Sequence, residues 1–191
     1  MISMIGVDIM KKNKEVDDNY RGFNKVFYYA IIFVIACFIG WVYEVIYYLV
    51  DDKVWVNRGF LFGPYLPVYG FGAIIMLATL KRFKKNPVLV FLLAMLVTGI
   101  VEYIAGALVY QIYHEMWWDY TGLFLNINGY VCLRSVVSFA IGAMLLFYIL
   151  DPIVCKKIMP INMENKKIIL GTILCMIIAD IILTLIFRHP L

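Results

Sequence analysis

Charged residues are scarce in this chain. Of its 191 residues, 17 are Lys or Arg and 13 are Asp or Glu, so 16% are charged, against roughly a quarter in an ordinary soluble domain. The formal net charge of +4 is too small to indicate a nucleic acid or another polyanion as a partner. Because a soluble fold of this size could not bury the apolar remainder, the composition excludes a soluble enzyme and a disordered chain.

Residues that form disulfides or bind metals are few as well. The two histidines, His114 and His189, do not occur at a zinc-ligand spacing such as H-E-x-x-H. The chain has no C-x-x-C pair, which argues against a disulfide scaffold, a redox motif and a zinc site. We therefore predict no metal and no cofactor. We expect the cysteines to serve as small apolar residues; they are Cys37, Cys132, Cys155 and Cys175.

Long hydrophobic runs take the place of charge. Hydrophobic residues make up 64% of the sequence, and five runs are each close to the ~20 residues that cross a hydrocarbon core about 30 Å thick. The first run follows a polar segment without a cleavage site, so we interpret it as a retained helix rather than a signal peptide. We predict an all-α integral membrane protein with a cytoplasmic N-terminal segment, 1–25, and a five-helix transmembrane bundle, 26–191. The helices are predicted at about 26–50, 59–80, 88–110, 128–150 and 168–187.

The orientation of the bundle follows from its Lys and Arg residues, which are enriched in cytoplasmic loops. The N-terminal segment has five of them, and the four connections in chain order have two, four, none and four. This alternation predicts a cytoplasmic N-terminus, with connections 51–58 and 111–127 outside and connections 81–87 and 151–167 inside. The odd number of crossings then leaves the C-terminal end outside.

Four charged side chains lie within the predicted helices, where each costs at least a few kcal/mol. They are Glu44, Glu102, Arg134 and Asp180. Each lies six to eight residues from the outer end of its helix, so we expect one charged layer about 9–12 Å below the outer surface. Small residues at helical spacing from both glutamates indicate that these acids face the bundle interior. The excess of acid favours a cavity, a protonated acid or a cationic ligand; the alternative is a buried ion pair with Arg134 that only fixes helix packing.

A glycine- and proline-rich run, RGFLFGPYLPVYGFG, covers residues 58–72 at the start of the predicted second helix. Its prolines, Pro64 and Pro67, predict that this helix is broken or kinked. Irregular backbone at membrane depth is tolerated where it lines a cavity or is buried in protein. We therefore include Arg58 among the candidate site residues.

A second unusual run, WWDYTGLFLNINGYVCLR, covers residues 117–134 and contains no Lys or Arg before its last position. We interpret it as an ordered lid or re-entrant turn over the charged layer, with Asn128 and Gly129 starting the fourth helix. The alternative is an aromatic belt at the membrane interface, which explains the Trp and Tyr residues but not the polar ones. The candidate site residues in this run are Trp118, Asp119, Asn126, Asn128 and Arg134.

Five pieces of the sequence, taken in order, resemble one known family. They are G-W-V-Y-E at 40–44, N-R-G-F-L-F-G-P-Y-L-P-V-Y-G at 57–70, V-E-Y at 101–103, W-W-D-Y at 117–120 and N-I-N-G at 126–129. Over about residues 26–150, the chain resembles the CmpB-type family, a group of small multi-pass membrane proteins described as ABC-transporter permeases. The resemblance implies that the chain is a membrane transport component. It also implies a location in a cell membrane, namely the plasma membrane of a bacterium.

The chain carries no ATPase motif of its own. It lacks the phosphate-binding pattern G-x-x-x-x-G-K-[ST], so a permease of this kind requires a separate nucleotide-binding ATPase subunit. The connection 151–167 is the one predicted cytoplasmic loop long enough to receive such a subunit. Membrane lipids are expected neighbours, and a homo-oligomer is compatible with the sequence.

Three functions are compatible with these features. We favour a permease or permease-like subunit, in which Glu44 and Glu102 line the path and the 117–128 run gates its outer mouth. Arg134 then balances the acidic charge. The alternative is a membrane-embedded enzyme acting on an outer-leaflet lipid or cell-envelope precursor, with a Glu as acid–base catalyst and Arg58 or Arg134 holding a phosphate or carboxylate. A structural partner whose buried charges specify assembly is the third.

Overall fold

The computed structural model describes residues 22–51, 53, 55, 57 and 59–187. Five helices organise this part of the chain: α1, Gly22–Asp51; α2, Pro67–Leu80; α3, Pro87–Tyr113; α4, Leu133–Ile158; and α5, Met163–Phe187. No strand occurs among the described residues, where an isolated antiparallel bridge joins Ile127 and Val131. The prediction of an all-α protein is confirmed. The predicted N-terminal segment, 1–25, lies outside the described residues up to position 21.

Within the described residues, four of the five helices are long and apolar enough to cross a membrane. They are α1, α3, α4 and α5, and their apolar stretches measure 25 to 29 residues. Large hydrophobic side chains stay exposed along both α3 and α5, an arrangement that matches a hydrocarbon environment rather than water. The chain is therefore a multi-pass membrane protein, while the number of crossings and the side of the N-terminus stay predictions.

The second predicted helix is shorter than expected. The prediction covered 59–80, whereas α2 begins at Pro67 and has 14 residues. Proline fixes its own φ and disfavours a helical residue before it, so Pro64 and Pro67 together confine the helix to the second half of the run. Gly59, with a φ of +101°, turns the chain at the start of the non-helical 59–66 segment.

The fourth helix also begins later than predicted. Asn128 and Gly129 were expected to start it, but they have φ angles of +53° and +73°, which an α-helix cannot contain. The helix instead begins at Leu133, where Cys132 and Ser135 form a capping box: each side chain accepts from the backbone N–H of the other residue.

α4 then continues past its predicted end. Residues 151–167 were expected to form a loop, yet the helix extends through Pro152 to Ile158. Two wide π-helical turns, Leu146–Leu150 and Val154–Ile158, flank the proline, which has no N–H to offer and whose ring displaces the preceding turn. The connection between α4 and α5 is therefore short, and Asn162 caps the start of α5 by accepting from the Asn165 N–H at 2.8 Å.

The chain forms two compact units, which are described separately. The described part of the first contains α1, the 59–66 segment, the start of α2, the end of α4, and α5. Gly70 lets α2 approach α1 closely, because a Cβ at this position would lie 2.6 Å from Cys37 Sγ. Lys166 of α5 is buried, and its Nζ donates to Asn24 Oδ1 of α1 at 2.8 Å.

The second unit covers residues 72–152 and contains the rest of α2, the turn 81–86, α3, the segment 114–132 and most of α4. α3 begins at Pro87, and Asn86 caps it by accepting from the Leu89 N–H at 3.1 Å. Both α3 and α4 bury small residues, which allows close approach of neighbouring segments. They are Ala94, Thr98 and Gly106 in α3 and Ser135, Ala140 and Ala143 in α4.

Candidate functional site

Glu102 is the single charged residue of α3, and two hydroxyl groups hold its carboxylate. Ser135 of α4 donates to Oε2 at 2.7 Å, and Tyr120 of the 114–132 segment donates to Oε1 at 3.0 Å. The side chain is half-buried in an otherwise apolar helix. Because a carboxylate in hydrocarbon is costly unless its oxygens are hydrogen-bonded, these two contacts make the position tenable. They also connect α3 to both α4 and the 114–132 segment.

Ser135 is fixed in place by the start of α4. Its hydroxyl lies 2.8 Å from the Cys132 carbonyl oxygen and accepts from the Cys132 N–H at 3.2 Å. The residue is buried, and its hydroxyl is shared between the helix cap and Glu102. This geometry suits a group that positions the carboxylate better than it suits a nucleophile.

The 114–132 segment is folded onto itself. The Tyr120 N–H donates to the Gly129 carbonyl at 2.9 Å, and the Trp118 indole N–H donates to the Tyr130 carbonyl at 2.9 Å. These bonds bring the beginning and the end of the segment together. The expected ordered turn is therefore supported by its geometry, whereas its role as a lid stays a prediction.

Asp119 closes a tight turn inside this segment. Its Oδ1 accepts from the Thr121 N–H at 2.8 Å. Hydrogen bonds from the Thr121 hydroxyl and N–H favour the charged carboxylate and lower the pKa of Asp119 from its ordinary value. Gly129 packs directly on this turn, and a Cβ there would lie 2.8 Å from the Asp119 and Thr121 side-chain oxygens. The glycine is required both for this space and for its positive φ.

The two asparagines of the segment have different surroundings. Asn128 Nδ2 donates to the Tyr103 hydroxyl of α3 at 2.9 Å, and the Tyr103 ring packs edge-to-face on Tyr130 with a centroid separation of 5.5 Å. Asn126 Nδ2 donates to the Leu123 carbonyl at 2.9 Å. Asn128 thus ties the segment to α3, while Asn126 stabilises the local turn.

Arg134 lies in the first turn of α4, one residue before Ser135, and its side chain is exposed. The hydrogen-bond partners of Glu102 described above are hydroxyl groups, so a direct interaction between Glu102 and Arg134 stays a prediction. Glu44 and Asp180 belong to the first unit. The expectation of one common layer of buried charges likewise stays a prediction.

In the first unit, Glu44 of α1 is held by a tyrosine of α2. The Tyr69 hydroxyl donates to Glu44 Oε1 at 2.7 Å. Gly40 lies one helical turn earlier, and a Cβ there would overlap the ring of Tyr69. The absence of a side chain at Gly40 therefore gives the tyrosine room to reach the carboxylate.

Asn57 directly precedes Arg58, which lies outside the described residues. Its Oδ1 accepts from Trp41 Nε1 at 2.7 Å, and its Nδ2 donates to the Phe62 carbonyl at 3.1 Å. The start of the 59–66 segment is in this way attached to α1.

Hard ligands for a metal ion do not converge in the described part of the chain. No group of three or more His, Cys, Asp or Glu side chains is arranged there to hold a metal ion. The carboxylates of Glu44 and Glu102 instead accept hydrogen bonds from neutral hydroxyls.

A family model, described as "Putative ABC-transporter type IV", matches residues 31–185. The match covers well over half of the chain. The chain belongs to this ABC-transporter family. Comparisons with curated proteins and with solved structures give no match.

The family match extends beyond the resemblance noted in the sequence, which ended near residue 150, and includes nearly all of α5. Many of the quoted motif residues make the contacts described above. Gly40 and Glu44 meet Tyr69, and Glu102 meets Tyr120. Membership in this ABC-transporter family and the four apolar helices together give the chain a membrane-transporter-like role.

The matched region also contains a buried charge that the sequence analysis did not single out. Asp151 of α4 is buried; its Oδ2 lies 2.6 Å from Lys84 Nζ, and its Oδ1 lies 3.9 Å from Lys81 Nζ. The Tyr148 hydroxyl donates to the Lys84 carbonyl at 2.8 Å. The sequence analysis placed Asp151 in the connection 151–167, because the fourth predicted helix ended at residue 150. The apolar Ile-Val-Cys after that proline is the signal that would have extended the helix.

Proposed function

We propose that the chain is the membrane-embedded permease or permease-like subunit of a transporter whose ATP is hydrolysed by a separate nucleotide-binding subunit. Membership in the ABC-transporter family supports this function. The chain lacks a phosphate-binding loop motif, so the energy-supplying step requires a partner. We propose the bacterial plasma membrane as its location and membrane lipids as its surroundings; a homo-oligomer is compatible with this role.

The observation that carries the proposal is the environment of the two intramembrane glutamates. Each accepts a hydrogen bond from a tyrosine hydroxyl: Glu44 from Tyr69 and Glu102 from Tyr120. A neutral hydroxyl stabilises a carboxylate without cancelling its charge, whereas an ion pair would cancel it. Carboxylates held by tyrosine hydroxyls within apolar helices suit a polar path on which a cationic group of a substrate would bind.

We assign the remaining site residues to the outer mouth of this path. In the proposed orientation the N-terminus is cytoplasmic, so the acidic residues lie in the outer half of the membrane and the 114–132 segment covers Glu102. Trp118 and Asn128 attach this segment internally and to α3. The other residues proposed to line the mouth or to balance its charge are Arg58, Asp119, Asn126 and Arg134.

The ATPase subunit is proposed to bind at the cytoplasmic side. The connection 151–167, which the sequence analysis put forward for this contact, is largely helical. Such a subunit would therefore contact the turn 81–86 or the helix ends rather than a long loop.

Copurification and reconstitution test this function. Full-length chain purified in mild detergent from its native membranes should retain a nucleotide-binding subunit, identified by mass spectrometry, and the complex should hydrolyse ATP. Glu102→Gln should preserve the complex and lower its coupled ATP hydrolysis at least about 10-fold, the change expected when about 1.4 kcal/mol of a charge-dependent interaction is lost.

Two results would contradict the proposal. If the isolated chain converts lipids from a native extract and Glu102→Gln abolishes this, the enzyme reading replaces the permease. If the purified chain shows neither ATP hydrolysis nor lipid conversion, a structural role replaces both the permease and the enzyme hypotheses.

A further inference from the structure

Asp180 has a defined structural environment that the site described above does not use. It is a carboxylate in the apolar helix α5, and its Oδ2 accepts from the Gly63 N–H at 3.1 Å and from the Tyr65 hydroxyl. Both donors belong to the non-helical 59–66 segment. An acid in a membrane-spanning helix is costly, and its partners indicate what the position is for. Here the partners are a backbone group and a side chain of one irregular segment.

The segment is attached to α1 directly after these two contacts. The Leu66 N–H donates to the Cys37 carbonyl of α1 at 3.1 Å, and Leu66 is buried. Three residues further on, the Tyr69 N–H donates to the Leu66 carbonyl at 3.1 Å, and the Tyr69 hydroxyl reaches Glu44. Beyond its attachment to α1 through Asn57, the segment is thus bound to α5 and then again to α1 before the chain reaches Tyr69, which contacts the acid.

We propose that Asp180 is a positioning residue: its carboxylate latches the 59–66 segment to α5 and thereby sets the position of Tyr69 against Glu44. This inference rests on the proposed path past Glu44, because it holds Tyr69 at a fixed position beside that path. Asp180 itself does not touch a substrate in this scheme.

The chemistry of the latch explains why an acid is used. One carboxylate oxygen accepts from two donors at once, and hydrogen bonds to a charged acceptor are roughly twice as strong as neutral ones. The Gly63 N–H also gains a partner that it would otherwise lack in an apolar environment. An amide at this position could still accept these bonds, more weakly, whereas an alanine could accept neither.

Hydrogen–deuterium exchange of the full-length chain in detergent tests the latch without any need for transport. In Asp180→Ala, amides of residues 59–69 should exchange at least about 10-fold faster, because two hydrogen bonds that hold the segment are lost. Asp180→Asn should give a smaller increase. Tyr65→Phe, which removes one of the two donors, should also give a smaller increase, and adding it to Asp180→Ala should change nothing further.

Two internal comparisons separate a local latch from general destabilisation. The 114–132 segment of the second unit should keep its wild-type exchange in every variant. Tyr43→Phe removes a hydroxyl from α1 next to the Tyr69 ring, with a centroid separation of 6.3 Å, and should leave residues 59–69 unchanged. If Asp180→Ala does not fold, the exchange rates of residues 59–69 in the milder variants still test the latch. They should be faster in Asp180→Asn and Tyr65→Phe than in Tyr43→Phe.

The proposal is overturned if residues 59–69 exchange as in wild type, or if 59–69 and 114–132 accelerate equally. These outcomes are distinguishable from a failure of the permease function. An intact latch in a chain that neither binds an ATPase nor supports ATP hydrolysis would refute the function alone, while a coupled complex without accelerated exchange in Asp180→Ala would refute the latch alone.

Discussion

At the scale of single residues, two serines of α4 have different roles: one contacts the site residue Glu102, and the other bonds to its own helix. Ser135 donates to the carboxylate of Glu102 at 2.7 Å, whereas Ser138 donates to the carbonyl of Arg134 at 2.9 Å. Ser135→Ala leaves one carboxylate oxygen without its donor, and we expect a loss of about 1.5–3 kcal/mol in the free energy of unfolding. Ser138→Ala is the matched change, because the Ser138 hydroxyl bonds a carbonyl four residues earlier in the same helix. It should cost well under ~1 kcal/mol.

Thermal or denaturant unfolding of the detergent-solubilised chain measures both values. Equal and small losses for Ser135→Ala and Ser138→Ala would show that the Ser135 hydroxyl does not support Glu102. In the Glu102→Leu background, Ser135→Ala should lose most of its effect, because the two side chains act as a pair.

A substitution at Asp119 distinguishes the effect of its charge from the effect of its hydrogen-bond geometry in the 114–132 segment. Its pKa is lowered in the folded chain by the bonds from Thr121, so its stabilising contribution is present above the unfolded pKa of about 3.9 and is lost as the pH falls through the lower folded value. Asp119→Asn should therefore be slightly less stable than wild type at pH 7, since an amide oxygen accepts the same bonds more weakly than a carboxylate, and it should lack the wild-type decrease in stability below about pH 4.

The same variant tests function. If the charge of Asp119 serves the outer mouth, coupled ATP hydrolysis should fall in Asp119→Asn, while Trp117→Phe should be milder. Trp117 is exposed and its ring packs on Tyr113 with a centroid separation of 5.2 Å. Similar small effects of the two changes on ATP hydrolysis would favour the aromatic-belt interpretation of this segment.

At the scale of helices and segments, two glycines of α3 lie at different contacts: Gly106 against the 114–132 segment and Gly99 against α4. A Cβ at Gly106 would lie 2.9 Å from Tyr130 Cβ in the 114–132 segment, whereas one at Gly99 would lie 3.4 Å from Val136 of α4. Gly106→Ala should destabilise the chain by about 1–3 kcal/mol because backbone-attached atoms must move apart. Gly99→Ala should be neutral or stabilise by up to about 1 kcal/mol through helix propensity. Unfolding of the two variants under identical conditions provides the measurement, and the reverse order would contradict this packing.

The turn 81–86 is anchored to α4 by one buried acid. Asp151 is 3% exposed, whereas its partner Lys84 is 33% exposed. Removal of the lysine takes away a cation 2.6 Å from a buried carboxylate and leaves Lys81 at 3.9 Å, so Lys84→Met should destabilise by up to about 3 kcal/mol. Asp151→Asn should cost less, because the freed Lys84 reaches water. Lys85→Met, at an exposed position of the same turn, is the control, and an equally large effect of it on unfolding would contradict the assignment.

The sequence predicted the straight, uninterrupted helices well and the interrupted ones poorly, for a physical reason. α1, α3 and α5 consist of apolar runs whose ends carry polar residues, so hydrophobicity and length define them. The bounds of α2 and α4 depend on local backbone effects instead. Pro67 begins one helix, Asn128 and Gly129 delay the other, and Pro152 is accommodated by wide turns rather than by a break.

The candidate site shows the same division. Glu44 and Glu102 could be singled out because a charge in an apolar helix is conspicuous in any sequence. Their partners Tyr69 and Ser135 could not, since a donor 25 or 33 residues away is selected by helix rotation and close approach at small residues. Asp151 and Lys166 were missed because both fall in the connection predicted at 151–167, where a charge is ordinarily solvated.

At the scale of the whole molecule, the short helix α2 determines the topology. Its 14 residues extend about 21 Å at ~1.5 Å per residue, less than the hydrocarbon core of about 30 Å. The preceding eight residues, 59–66, can supply the missing length only if they enter the membrane. The Lys- and Arg-rich turn 81–86 lies inside with the N-terminus only in that case, so the charge distribution predicts that residues 59–80 cross as one unit.

Two single-cysteine chains test this topology, each with the other native cysteines replaced. Cys155 lies near the end of α4 beside Lys156 and Lys157, and we predict that a membrane-impermeant maleimide labels it only in opened vesicles. Phe124→Cys, at a position 75% exposed in the 114–132 segment, should be labelled in intact cells. If residues 59–80 did not cross, every later connection would change sides, so Cys155 would be labelled in intact cells and Phe124→Cys protected. Inversion of the whole chain would give the same reversed labelling, so a reporter on the N-terminal segment is needed to distinguish the two explanations. If labelling is reversed and the N-terminus is still inside, α2 and the 59–66 segment return to the side from which they entered.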